Sequence, residues 1–240
     1  MPKVSITRSL GQHMLVDRHV LAKIIDADRI DREEIVLEAG SGQGILTAEL
    51  CKAAKRVISF EVDKRLYNQA KARLQFQNLV LVNADLFKKR SIDFDVFVSN
   101  LPYSRSRDAI EWLATQRFNR AIVMVQREFA DKLVASPGNE NYRAISALAS
   151  YCFSIEKLFK VGRQAFEPPP KVESVVIRLT PVNTVTRRTV GNLNLLFSKR
   201  NKKASSVAAE AGITEADFGD KRVDHLAPAD VVRIAEGMKG

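Results

Sequence analysis

Cysteine and histidine are both scarce in this 240-residue chain, which has two of the first and three of the second. Cys51 and Cys152 show neither metal-ligand nor redox spacing, and both fall in apolar-patterned segments where a thiol serves as a small buried hydrophobe. His13, His19 and His225 are scattered, which argues against a zinc site and leaves no metal expected. No apolar run reaches 18 residues, and residues 1–16 lack the apolar core of a signal peptide. The expectation is therefore a soluble, cytoplasmic protein with no membrane partner. No phosphate-binding lysine follows the glycine-rich segment at 40–44, which excludes a Walker loop. Internal repeats and low-complexity tracts are also lacking.

The chain is rich in positive charge. Against 28 Asp and Glu stand 38 Lys and Arg, a net charge of +10. Such a balance favours a polyanionic partner, held through phosphate contacts and counterion release. With 45% hydrophobic and 28% charged residues, the composition is otherwise that of an ordinary globular protein long enough for a sizeable core.

Short apolar runs alternate with helical patterns along most of the chain. Residues 35–37, 57–60, 80–82, 96–98 and 121–125 read as strands, with helices through about 54, over 64–74 and around Trp112. This alternation predicts an α/β fold with a doubly wound sheet, its strands covered on both faces. After a helix over 142–151, residues 155–161 and 174–179 read as two late strands. Between them, Phe166-Glu167-Pro168-Pro169-Pro170 reads as a rigid loop, because a prolyl triplet fits neither sheet nor helix interior. A boundary near 180–183 divides the chain into an expected main domain, 1–182, and a small helical appendage, 183–240. Between Asn183 and Ala209 lie six basic residues and no acidic one, including Lys199-Arg200-Asn201-Lys202-Lys203.

Three strand ends carry chemistry. Gly40, Gly42 and Gly44 follow the first strand where the chain must turn sharply into a helix, and glycine lets backbone N–H groups approach a ligand closely. A dinucleotide fingerprint would want a small residue where this chain has Ile45. Glu61 ends the next strand, where an acid accepts both ribose hydroxyls of a nucleoside. Asp85, in Asn83-Ala84-Asp85-Leu86-Phe87, ends the third and suits an adenine amine. A nucleoside gripped by carboxylates rather than by basic groups carries no phosphate, and S-adenosylmethionine fits that description.

The fourth strand end is Asn100-Leu101-Pro102-Tyr103. An adenine N6 nitrogen is a poor nucleophile because its lone pair is delocalised into the ring. Accepting hydrogen bonds from both of its N–H groups favours the tetrahedral nitrogen that develops during methyl transfer. Asn100 offers a side-chain carbonyl and Leu101 a backbone one; Pro102 stiffens the turn, and Tyr103 offers a face for the extruded base. Alignment of nitrogen, methyl and sulfur supplies the remainder.

With these motifs in this order, the chain resembles the rRNA adenine N6-dimethyltransferases of the KsgA family over nearly its whole length. Gly11-Gln12-His13-Met14-Leu15 resembles the family's N-terminal cofactor lid, usually Gly-Gln-Asn-Phe-Leu. The resemblance makes His13 and Leu15 cofactor contacts, and places Val62 and Leu86 beside Glu61 and Asp85 in the cofactor set with Gly40, Gly42 and Asn100. The segment 124–133, followed by Pro137-Gly138, Tyr142-Arg143 and Ser146, resembles the central helices. Residues 166–174 resemble the Phe-x-Pro-x-Pro-x-Val-x-Ser segment, and there Phe166 would stack on the target adenine opposite Tyr103. Phe197-Ser198-Lys199-Arg200 falls where the family has a basic helix, and with Lys202 and Lys203 it is expected to meet RNA. Ser104-Arg105-Ser106-Arg107 departs from the family's usual Asn-Ile-Ser-Ser type, and Arg105 and Arg107 are further expected RNA contacts.

The resemblance implies transfer of four methyls from S-adenosylmethionine to two adjacent adenines near the 3′ end of small-subunit rRNA, in an immature small ribosomal subunit, by a monomer. Two alternatives stand beside it. One is a large-subunit rRNA adenine N6-methyltransferase of the antibiotic-resistance type, which usually carries Ile at the position of Leu101. The other is an RNA-binding assembly factor for the small subunit in which methylation is secondary.

Overall fold

Val36 and Leu37 lie side by side in one strand, yet their side chains belong to different hydrophobic clusters. So do Phe97 and its neighbours Val96 and Val98, and Val123 and its neighbours Ile122 and Met124. Side chains alternate across a strand, so an uninterrupted apolar run is stable only where both faces of the sheet are covered. The computed structural model, which describes residues 13–213, 218 and 220–238, has this arrangement. Gly11 and Gln12 of the expected lid lie outside the described residues.

The order of elements is β1 (Met14–Leu15), α1 (Arg18–Asp28), β2 (Ile35–Ala39), α2 (Ile45–Ala53), β3 (Arg56–Phe60), α3 (Lys64–Arg73), β4 (Leu79–Val82), β5 (Val96–Ser99), α4 (Ser106–Leu113), β6 (Arg120–Gln126), α5 (Arg127–Leu133), α6 (Ala144–Cys152), β7 (Phe153–Val161), β8 (Phe166–Glu167), β9 (Ser174–Pro181), α7 (Arg187–Ser198), α8 (Ala204–Glu210) and α9 (Pro228–Gly237). Seven strands form one sheet in the order β4-β3-β2-β5-β6-β9-β7. The first five are parallel, whereas β9 runs antiparallel between β6 and β7. Connections leave β2 in both directions, so the crevice beyond the carboxyl ends of β2 and β5 is the topological switch point where open α/β sheets bind ligands.

Local chemistry sets the helix starts around that crevice. Asp17 caps α1 by accepting the N–H groups of His19 and Val20, and Asp63 caps α3 by accepting those of Arg65 and Leu66. Helix α1 has no counterpart among the elements read from the sequence, although Asp17 is a readable start signal. Gly44, at φ +80°, turns the chain from β2 into α2. The two late strands form as expected. The Phe166–Glu167 segment, read as loop, forms β8, which pairs antiparallel with β1 before the prolyl triplet stops it.

Helices α7 and α9 pack on α6, and all three share one apolar cluster with the sheet face that holds Leu37 and Phe97. Tyr142 is fully buried there, its ring edge-on to Phe197 and its hydroxyl donating to the Leu226 carbonyl at 3.1 Å. Asn192 Nδ2 donates to Ala235 O at 2.8 Å, closing α7 onto α9. The C-terminal helices thus extend a continuous core.

Candidate active site

At the carboxyl ends of β2 to β5 the chain turns four times, and the four turns surround one cavity. Gly40 and Gly42 have φ of +82° and +54°, a region that L side chains rarely adopt. A Cβ on Gly42 would stand 3.1 Å from Met14 Cε, so the cradle is shaped by the lack of a side chain. The Gly40 N–H donates to Phe60 O at 2.7 Å, and Ser99 Oγ donates to Ala39 O at 2.7 Å, tying the ends of three neighbouring strands together.

Glu61 is only 3% exposed. Its Oε2 accepts the Gly42 N–H and its Oε1 the Asp63 N–H, each at 2.9 Å. The acid therefore braces the glycine turn while lining the cavity. Asp85 Oδ1 accepts the Phe87 N–H at 3.0 Å, and both Asp85 oxygens lie 3.1 Å from Arg105 Nη2. Ser41 adds a buried hydroxyl to the wall with no hydrogen-bond partner among the described residues. A buried unpaired hydroxyl in a cavity wall is a group that a polar ligand would satisfy. Two carboxylates, an orphan hydroxyl and a glycine cradle fit a nucleoside carrying an amino-acid tail. Among the described residues no lysine lines the cavity, and the one arginine that does is held by carboxylates.

His13, Leu15, Gly40, Gly42, Glu61, Val62, Asp85, Leu86 and Asn100, all expected at the cofactor, line this one cavity, together with Leu101 and Pro102. Tyr103 stands just beyond it. Its hydroxyl lies 2.6 Å from Ser174 Oγ, and its ring centroid is 5.8 Å from that of His13. Burial pushes the Tyr103 phenol above its ordinary pKa against the opposing effect of the Ser174 bond, which keeps it protonated. His13 Nδ1 lies 2.7 Å from the Pro168 carbonyl, an acceptor only, so this nitrogen carries the hydrogen.

Phe166 is placed differently from its expected position facing the base. It is 3% exposed and packs with Leu15 and Leu21 in the cluster under α1, its backbone paired to Leu15. The arginines after the tetrapeptide are also engaged within the chain. Arg105 pairs with Asp85 and Asp108; Arg107 pairs with Glu111 at 2.8 Å and donates to Asn194 at 2.6 Å, joining α4 to α7. Lys199 pairs with Glu210 and Lys203 with Asp220, both at the surface, while Lys202 is exposed and Arg200 half-buried. The reading from sequence missed Ser41 and Phe87 as wall residues. Both stand inside recognised motifs, Ser41 between Gly40 and Gly42 and Phe87 two residues after Asp85, and that position was their only signal.

A parallel-centred seven-stranded sheet, with a glycine turn after β2 and carboxylates at the next two strand ends, defines a Rossmann-like methyltransferase of class I. Comparison with known proteins narrows the class. The family model described as ribosomal RNA adenine dimethylase matches residues 4–210, and the chain belongs to that family. A relative from Pyrococcus abyssi, named a probable ribosomal RNA small subunit methyltransferase A, is 31% identical over 96% of this chain and 91% of its own length. Among solved structures, a dimethyladenosine transferase from Plasmodium falciparum superposes with a TM-score of 0.76 at 28% identity, covering 92% of this chain and 96% of that one. The 23S rRNA methyltransferase ErmE superposes with a TM-score of 0.63 at 25% identity, covering 94% and 99%.

Proposed function

We propose that this enzyme transfers methyl groups from S-adenosylmethionine to N6 of two adjacent adenines near the 3′ end of small-subunit rRNA, during assembly of the subunit. The observation that carries the reading is the meeting of Glu61, Asp85 and the glycine cradle with Asn100, Leu101 and Pro102 in one cavity at the switch point. The small-subunit assignment draws on the Pyrococcus relative and the dimethyl transfer on the Plasmodium dimethyladenosine transferase; ErmE supports the large-subunit alternative only as a more distant fold relative. Among the described residues no helix is long and apolar enough to cross a membrane.

When bound, S-adenosylmethionine supplies an electrophilic methyl on a sulfonium. Glu61 is suited to the ribose hydroxyls and Asp85 to the adenine amine of that cofactor. The Asn100 side-chain carbonyl and the Leu101 backbone carbonyl accept the two N6 hydrogens of the target, favouring pyramidal nitrogen as it attacks. Tyr103, held by Ser174 and protonated, presents a face for the target base. Phe166, expected opposite Tyr103, is held in the core under α1 by the β1–β8 pairing. Residues 183–240 dock rRNA through Arg200, Lys202 and their neighbours.

The test offers labelled S-adenosylmethionine with unmethylated small subunits, naked small-subunit rRNA and large-subunit rRNA, then maps N6-methylated adenines. Label on adjacent adenines near the small-subunit 3′ end is expected; label on large-subunit RNA alone would overturn the assignment. Asn100→Ala should abolish transfer with particle binding retained, and loss of binding by the folded variant would refute the role given to Asn100.

A further inference from the structure

Arg105 closes the short turn Tyr103–Arg105, directly after the tetrapeptide. Its Nη2 donates to Asp85 Oδ1 and Oδ2 at 3.1 Å each, and its Nε lies 2.8 Å from Asp108 Oδ2. Its guanidinium carbon is 5.1 Å from the centroid of the Phe87 ring. One side chain thus spans the turn after β4, which carries Asp85 and Phe87, and the turn after β5, which carries Asn100 to Tyr103. It also forms part of the cavity wall.

We propose that Arg105 is a positioning residue of the transfer reaction: it orients the Asp85 carboxylate toward the cofactor's adenine amine and so ties the cofactor turn to the turn that grips the target base. The inference rests on the reading of this cavity as an S-adenosylmethionine site. Asp85 Oδ1 already takes two hydrogen bonds, from Phe87 N and Arg105, whereas among the described residues Oδ2 takes only that from Arg105 and keeps a lone pair for an amine. The Phe87 bond fixes one oxygen and leaves the carboxylate free to pivot. A charge-assisted contact to both oxygens removes that freedom. The planar guanidinium suits the task because Nη2 spans both Asp85 oxygens while Nε stands 2.8 Å from Asp108 Oδ2 as an ion pair without a hydrogen bond, two contacts that an ammonium cannot make in the same geometry. Two carboxylates around one cation also keep the wall from turning positive against a sulfonium. Arg105 is committed to these acids and is not a free cation for RNA phosphate.

The test measures S-adenosylhomocysteine affinity by calorimetry, and methyl-transfer kinetics, on the full-length protein. Arg105→Ile is expected to weaken that affinity about tenfold while the KM for rRNA stays within about twofold. Arg105→Lys should recover part of the loss, and Asp108→Asn should cost less than Arg105→Ile. Because Arg105 acts through Asp85, the double variant Arg105→Ile with Asp85→Asn should bind no more weakly than Asp85→Asn alone. Unchanged cofactor affinity in Arg105→Ile with a raised rRNA KM and a shallower salt dependence would overturn the proposal in favour of a phosphate contact. Additive losses in the double variant would overturn it as well. If Arg105→Ile fails to fold, Arg105→Lys with Asp108→Asn decides, and wild-type affinity in both overturns it. A wild-type protein that binds no S-adenosylhomocysteine would instead remove the underlying reading of the cavity.

Discussion

Glu38 sits in β2, just ahead of the glycine turn, and is 1% exposed. Its Oε2 accepts the hydroxyls of Thr47 at 2.7 Å and Ser59 at 2.6 Å, while its Oε1 has no partner among the described residues. Burial raises its pKa from 4.5 to about 7, against the lowering effect of the Ser59 and Thr47 bonds. Between those two values the folded protein holds a proton that the unfolded chain has released. Stability is therefore greatest below the unfolded value and falls as pH rises through the folded one. At about 1.4 kcal/mol per pH unit, the interval amounts to about 3 kcal/mol. Glu38→Gln removes this dependence, because an amide keeps an acceptor for the two hydroxyls and does not titrate. Its two N–H groups near the unpaired position cost about 1–3 kcal/mol, an offset that does not change with pH. The pH slope therefore carries the test. Urea unfolding of both proteins from about pH 4 to about pH 8 should show their stability difference moving by about 3 kcal/mol in favour of the variant. Burial also raises Asp28 to about 7, but that group titrates in both proteins and cancels in the difference. A difference that stays flat across the range, or moves the other way, would refute the reasoning.

Three further outcomes are expected. Glu61→Ala deprives the Gly42 and Asp63 N–H groups of their acceptor and should weaken S-adenosylhomocysteine binding at least about tenfold by calorimetry, where unchanged affinity would sink the ribose assignment. Gly44→Ala places a Cβ at φ +80° and 2.7 Å from the buried Leu74 Cδ1, so urea unfolding should report a loss of about 2–4 kcal/mol; a loss under about 0.5 would contradict it. Arg120→Met removes the partner of buried Asp28, at 2.9 Å, and of Glu34, at 2.6 and 2.8 Å, and should cost about 3–5 kcal/mol above pH 7. That loss should shrink below about pH 7, where Asp28 is protonated, without vanishing, because Arg120 holds the Glu34 pKa low; equal losses at high and low pH would contradict the assignment.

The residues that the cofactor and target motifs name were legible because their geometry is local. A glycine after an apolar strand, an acid at the end of the next strand and an Asn-Leu-Pro turn each depend on a few consecutive backbone angles. The parallel sheet then delivers all of them to one edge. The uninterrupted burial of β2, β5 and β6 is likewise written in consecutive residues, as apolar runs that need both faces of the sheet covered.

What the tertiary structure decided is where side chains go once distant segments meet. Arg105 and Arg107 read as free cations for RNA, although Asp108 and Glu111 stand one helical turn further along and pair with them. Their partners include Asp85 and Asn194, brought close only by folding. Phe166 reads as a stacking face, yet the β1–β8 pairing turns it into the core under α1. The apparent boundary near residue 182 is crossed by the apolar contact between Tyr142 and the C-terminal helices. Motif spacing along the chain determined the chemistry on offer, since it needs only local backbone conformation. Pairing, burial and charge compensation needed the fold, because each is a contact between residues far apart in sequence, satisfied only when their elements pack together.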